Sequence, residues 1–267
     1  MLRTGLWPAL RRLLFAVVVM TACVGCGQRV VVTVHEYPSD HQGTHAKWDH
    51  LVSTVVDAQG RVDFEQVAQR EPELDQVLAA IGALPAPEDP AACIAWQLNA
   101  YHAMGMKAVL IHGYPESIDA YVDRASFFGY TKFLVAGVWR SLQDQLKDGV
   151  LAQHDPRVVG SLSGMTHGFP RLSDRAFDPA TIDRDLAAGM RALARDSRFV
   201  RIDAAAERLV LSPLLRRVEG MLTRDGVDMV EWLNSWRQEP LPAYPITWSA
   251  MDWQVIHAIE GVTEAQR

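Results

Sequence analysis

Cysteine is nearly absent. The 267 residues contain three, and Cys23 and Cys26 sit in the opening stretch, so Cys93 is the only thiol beyond it. No disulfide can form within the rest of the chain, and stability has to come from a buried core. A length of about 230 residues supplies one without covalent staples. Metal signatures are missing too: there is no HExxH, and the single Cys-x-x-Cys is the one formed by Cys23 and Cys26. No phosphate-cradling glycine loop, internal repeat or low-complexity run occurs, and no cofactor or metal is expected. Positive charge is in deficit, with 26 Lys and Arg against 32 Asp and Glu. The net charge of −6 becomes −9 once the three arginines of the opening stretch are set aside. An acidic chain lacks the basic face that phosphate backbones require, which excludes nucleic acid as the expected partner.

The longest apolar run, residues 13–24, is too short to span a bilayer, which takes roughly 20 residues. It follows Arg3, Arg11 and Arg12 with no acidic residue among them, the charge pattern of a secretory signal. Met20-Thr21-Ala22-Cys23 then has the form of a bacterial lipoprotein box: an apolar residue, two small ones and a thiol to be acylated. Cys26 is the alternative acceptor, with a cysteine at the position where such a box usually has a leucine-type residue. The expectation is a signal over 1–22, a tether over 23–45 and one domain over 46–267. Acyl chains would hold that domain on a membrane surface of the bacterial cell envelope, facing the periplasm or the exterior.

Within the domain, apolar spacing of three and four (Trp48, Leu51, Val55) predicts a helix from residue 46. A turn at 57–60 and an extended piece at 61–64 follow, then an amphipathic helix over 72–84 that ends at Pro85 and Pro87. Asp89-Pro90 reads as a helix cap with proline in the first turn, opening a helix to residue 112. A strand is predicted over 132–139, and a helix to residue 151 starts from the capping-box pair Ser141 and Asp144. Residues 160–170 are too rich in glycine for a long helix. Beyond them come a helix over 181–194, a hairpin from 199–203 and 208–211, a helix capped by Ser212, another over 227–236, and an aromatic, β-branched tail over 244–256. The sum is an α+β fold, a mainly helical single domain with a few short strands.

Several residues carry candidate chemistry. Ser161 and Ser163 lie in Gly160-Ser161-Leu162-Ser163-Gly164, and a serine-hydrolase elbow needs glycines two before and two after its serine, which neither has. His167, three residues on, is a possible base for either serine, as is His102 on the Asn99 helix; an exposed loop histidine and a core-edge histidine are the plain readings. His41, His45 and His50 are spaced by four and five, but no carboxylate or thiol joins them at ligand spacing, so they read as solvated residues. Asp252, between Trp248 and Trp253, is expected to be partly buried and hydrogen-bonded, tying the tail to the core or serving a site.

Four segments together resemble the family called domain of unknown function 547. They are residues 48–64 with Gly60-Arg61-Val62-Asp63-Phe64; Ala95-Trp96-Gln97-Leu98-Asn99-Ala100-Tyr101-His102-Ala103 with 113–118; residues 142–151 running into Asp155-Pro156-Arg157; and the tail 246–253. The resemblance spans about residues 46–257 and keeps Asn99, Tyr101, Asp252 and Trp253 as the binding or structural motif. It also implies an Asn-Cys pair and a second cysteine after Asp-Pro-Arg, where this chain has Ser163-Gly164 and Phe169. A Glu-His pair falls on Lys147-Asp148, and an asparagine falls on His102. A thiolate's nucleophilicity cannot be supplied by glycine or phenylalanine. The expectation is an envelope lipoprotein with a divergent, non-catalytic domain that acts by binding or assembly, with a protein or small molecule as partner besides the membrane. The alternative is a hydrolase or acyl transferase using Ser163 with His167 or His102. Convergence of Asn99, His102, Ser163, His167 and Asp252 on one cleft would mark a site.

Overall fold

The computed structural model describes residues 28–34 and 36–258. The basic lead, the apolar run, Cys23, Cys26 and His35 lie outside the described residues. Among those described, no helix is long and apolar enough to cross a membrane.

The first helix starts earlier than its apolar spacing suggests. Asp40 is extended, and its side chain accepts the Gly43 N–H at 2.7 Å, so α1 runs His41–Val55. Residues 41–45, expected in the tether, are therefore helical, and Thr44 is buried. After the turn closed by Gly60 (φ 74°), extended backbone is limited to Val62, because Asp63 caps α2, Phe64–Gln69, by accepting from Gln66. Helix α3, Glu71–Ala83, then packs on α1.

Helix α4, Pro90–Ile111, opens from the Asp89 cap as predicted. It is apolar nearly all round, with Leu98, Ala100, Ala103, Met104, Met106, Ala108 and Val109 fully buried, so it forms the centre of the fold. Its polar residues are buried as well. Lys107 forms a 2.7 Å ion pair with Glu71 and a second one with Asp75, both on α3.

Around α4 the chain departs from regular helix twice. Helix α5, Tyr121–Ala125, widens into a π-helical turn over Ser126–Tyr130. Ser141 and Asp144 form a complete capping box for α6, Leu142–Asp144, which then widens into a second π turn over Gln145–Val150. Between the two lies a hairpin rather than one strand. Strands β1, Lys132–Val135, and β2, Val138–Ser141, pair antiparallel across Ala136 and Gly137, both at positive φ (48° and 77°).

A 3₁₀ turn over Pro156–Ser161 packs on α7, Ile182–Arg195. The glycines explain the closeness: a Cβ on Gly160 would lie 2.6 Å from the Gly189 carbonyl carbon. The predicted hairpin is present as β3, Val200–Asp203, and β4, Arg208–Leu211, and β5, Ile246–Trp248, adds to β4 in parallel. Helices α8, Arg216–Arg224, and α9, Met229–Asn234, complete a mainly helical α+β architecture with two small sheets. The tail beyond β5 then bridges Ser117, Thr166 and Val62 in turn through Gln254, Val255 and His257.

Candidate functional site

Both π turns face one cleft. Its floor is Tyr101 on α4, its sides carry Arg124, Phe128, Gln143 and Leu146, and its rim is Phe169, Arg217 and Trp253, around a volume of about 280 Å³. A wide π turn displaces side chains from their α-helical directions and recurs at functional sites. Here the first brings Phe128 edge-on to Trp253 (5.8 Å between ring centroids, 60°) and nearly parallel to Phe169 (6.2 Å, 26°). The second is wedged open where Gln145 donates to the Gln97 side chain at 2.6 Å, beside Gly149, whose Cβ would lie 2.5 Å from that Gln97 oxygen.

The cleft is cationic, and among the described residues no carboxylate lines it. Arg124 is held with its guanidinium 5.2 Å from the Trp253 ring centre and donates to the Asp119 carbonyl. Arg217 has no ion pair among the described residues, and its charge acts on Tyr101. Tyr101 is 1% exposed and lines the cleft, and its hydroxyl makes no hydrogen bond to any described residue. Burial pushes that phenol well above the ordinary tyrosine range, against the pull of Arg217.

The serines and histidines are arranged differently from a catalytic pair. Ser163 is fully buried, and its backbone N–H donates to His102 Nε2 at 3.0 Å. The imidazole nitrogen nearest the serine is thus already an acceptor, and burial depresses the His102 pKa to about 3, which keeps the ring neutral. Among the described residues the Ser163 hydroxyl has no hydrogen-bond partner, so neither His102 nor His167 engages it. Ser161 is buried in the 3₁₀ turn, with its hydroxyl against Gly189. His167 is half-buried, and its backbone is tied at both ends: its N–H donates to the Gln254 carbonyl, and its own carbonyl accepts from Arg198. The nucleophile–base geometry expected for Ser163 is not formed.

No family model, curated protein or solved structure matches the chain. What the chain is similar to rests on the residues quoted above.

At those positions the structure separates two groups. Tyr101, Trp253 and Phe169 meet at the cleft, as the tail and α4 cross there. Asn99 does not: its amide accepts the Phe177 N–H and donates to the Phe177 carbonyl, both at 2.9 Å, clamping that residue as a strand partner would. Asp252, expected to be partly buried, is exposed. Its carboxylate accepts the Gln254 N–H at 3.0 Å, a turn contact, and the tie to the buried Gly168 runs through its backbone carbonyl and not through its side chain. Gly164 and Phe169, at the two implied cysteine positions, are in direct contact.

His41 and His45 border a second, smaller and mostly apolar pocket with Trp48, Ile81, Trp96 and Phe177. His41 packs edge-on to Trp96 at 6.4 Å, and His45 Nε2 stands 3.8 Å from an Asp178 oxygen. His50 is exposed elsewhere on α1, and no group of three potential ligands gathers among the described residues. The cleft residues that sequence reasoning missed are Arg124, Phe128, Gln143 and Arg217. Arg124 and Phe128 share α5 and its π turn, whereas Gln143 and Arg217 come from other elements that no spacing links to them.

Proposed function

We propose that this chain is an envelope lipoprotein, acylated at Cys23 with Cys26 as the alternative, whose domain is a divergent member of the domain of unknown function 547 family and acts by binding. The observation that carries this reading is the sealed Ser163: a hydroxyl without a base, in a buried loop whose neighbouring imidazole is committed to a backbone N–H. A nucleophile needs a base within reach and an approach for the substrate. The implied cysteine positions add to it, since one has no side chain and the other carries the ring that covers it. The cleft floored by Tyr101 is the surface left for a ligand.

Two measurements test the two halves. A fluorophosphonate probe is expected not to label the purified chain; labelling that disappears in Ser163→Ala overturns the binding reading and restores the hydrolase one. Metabolic labelling with a fatty acid is expected to mark the chain and to be lost in Cys23→Ala. Loss only in Cys26→Ala moves the anchor, and no labelling at all removes it.

A further inference from the structure

We infer that the cleft between Tyr101, Arg217 and the ring wall of Phe128, Phe169 and Trp253 binds a small organic anion with a flat apolar body. This rests on the reading that the domain binds rather than turns over its ligand, and it names the class of ligand.

Three independent features of the cleft point the same way. The first is charge. Among the described residues two guanidinium groups border it and no carboxylate does, in a chain whose overall charge is negative. Arg124 is already occupied by a ring and a carbonyl, whereas Arg217 is an unpaired fork of donors on the exposed side of α8. A guanidinium fork matches the oxygens of a carboxylate or a phosphate, two donors to two acceptors. The second is Tyr101. Its side chain is almost wholly buried and lines the cleft, and its hydroxyl is not among the buried polar atoms sealed from water, so it opens onto the cleft. Tyr101 and Arg217 line the same cleft, so a single acid group there can accept from both. The third is the wall. Phe128 and Phe169 are nearly parallel and Trp253 closes the edge, which offers ring faces to a planar body. The volume of about 280 Å³ suits a compound of metabolite size rather than a chain segment.

The acid group and the apolar body are separable by experiment. Calorimetric titration of the full chain with phenylacetate, phenyl phosphate, the neutral phenylacetamide and inorganic phosphate reads each part. Saturable one-to-one binding of an aryl acid is expected, with phenylacetamide and inorganic phosphate at least about tenfold weaker. The better of phenylacetate and phenyl phosphate identifies whether the acid is a carboxylate or a phosphate. Arg217→Gln, on an exposed helix face, and Tyr101→Phe are each expected to weaken the aryl acid about tenfold. Arg216→Gln removes the same charge from a side chain that lies over Trp248, outside the cleft, and is expected to bind as the wild type does. The inference is overturned if neither aryl acid saturates, if phenylacetamide binds as tightly as the acids, or if Arg217→Gln binds them unchanged. Release of phenol from phenyl phosphate, abolished in Arg217→Gln, would instead overturn the non-catalytic reading and keep the anion site.

Discussion

The ring of Phe169 occupies the space in which residue 164 would carry a side chain: a Cβ on Gly164 would lie 2.5 Å from the ring. The two positions are matched as bulk against absence. Gly164→Ala in the wild type forces the ring to move and is expected to cost about 1–3 kcal/mol. In a Phe169→Ala background the same substitution finds open space and should cost much less. Denaturant unfolding of the four proteins gives the coupling, which is expected to exceed about 1 kcal/mol. Additive costs would mean that the ring is not seated on Gly164.

His102 makes stability depend on pH. Its folded pKa, about 3, lies below the ordinary value of 6.5 because burial disfavours the charged ring. The unfolded chain therefore binds more protons between those values, and stability is full above about 6.5 and lost as pH falls toward 3. One such proton corresponds to a slope of about 1.4 kcal/mol per pH unit. His102→Gln keeps a side-chain acceptor but does not titrate, so urea melts across this range should show a shallower slope by that amount. An unchanged slope would mean that the ring titrates as if exposed.

Lys107 on α4 is a buried cation balanced by Glu71 and Asp75. Asp75→Asn leaves one carboxylate for it and is expected to destabilise measurably. Lys107→Ala leaves a gap beneath two carboxylates that still reach water and is expected to cost about 2 kcal/mol, mainly through lost packing. Lys107→Met refills the volume without the charge and should recover a large part of that loss. Thermal melts of the three variants check the order; a methionine variant no better than alanine would show that the charge itself is what α3 and α4 need.

Asn99 and Asp252 are both motif residues, but their expected mutational costs differ. Asn99→Ala removes two hydrogen bonds to Phe177 and should cost about 1–3 kcal/mol. Asp252→Asn, at an exposed turn, should stay within about 0.5 kcal/mol of the wild type. Comparable losses for the two would contradict the clamp.

What was legible in the chain follows from where the physics is local. The Asp89-Pro90 cap, the Ser141–Asp144 box and the 199–211 hairpin are set by neighbours in sequence, and all three are present. The start of α1 was not legible because Asp40 stands within a polar stretch whose helix has no large apolar residue until Trp48. The strand expected over 132–139 became a hairpin because the turn is only Ala136-Gly137, and an alanine at positive φ carries no composition signal. The π turns were invisible for a different reason: the second depends on Gln97, some fifty residues away, meeting Gln145 beside Gly149. The glycines at 160 and 164 showed only that no long helix runs through 160–170; in the fold they let backbone and ring approach closely in the interior, around the buried Ser163. Arg217 and Arg124 reach the cleft from elements with no shared motif, and only the fold places them together.

The tail that bridges Ser117, Thr166 and Val62 also sets an order of events. Residues 246–257 are made after the parts they join, β4 and three earlier loops, and Trp253 supplies one wall of the cleft. Closing contacts of such long sequence separation come late in folding. A nascent chain thus has no finished cleft to occupy, and any ligand can stabilise only protein that has been synthesised to this point. Early termination would therefore leave a chain that no ligand can rescue, while a slow-folding complete chain can still be captured.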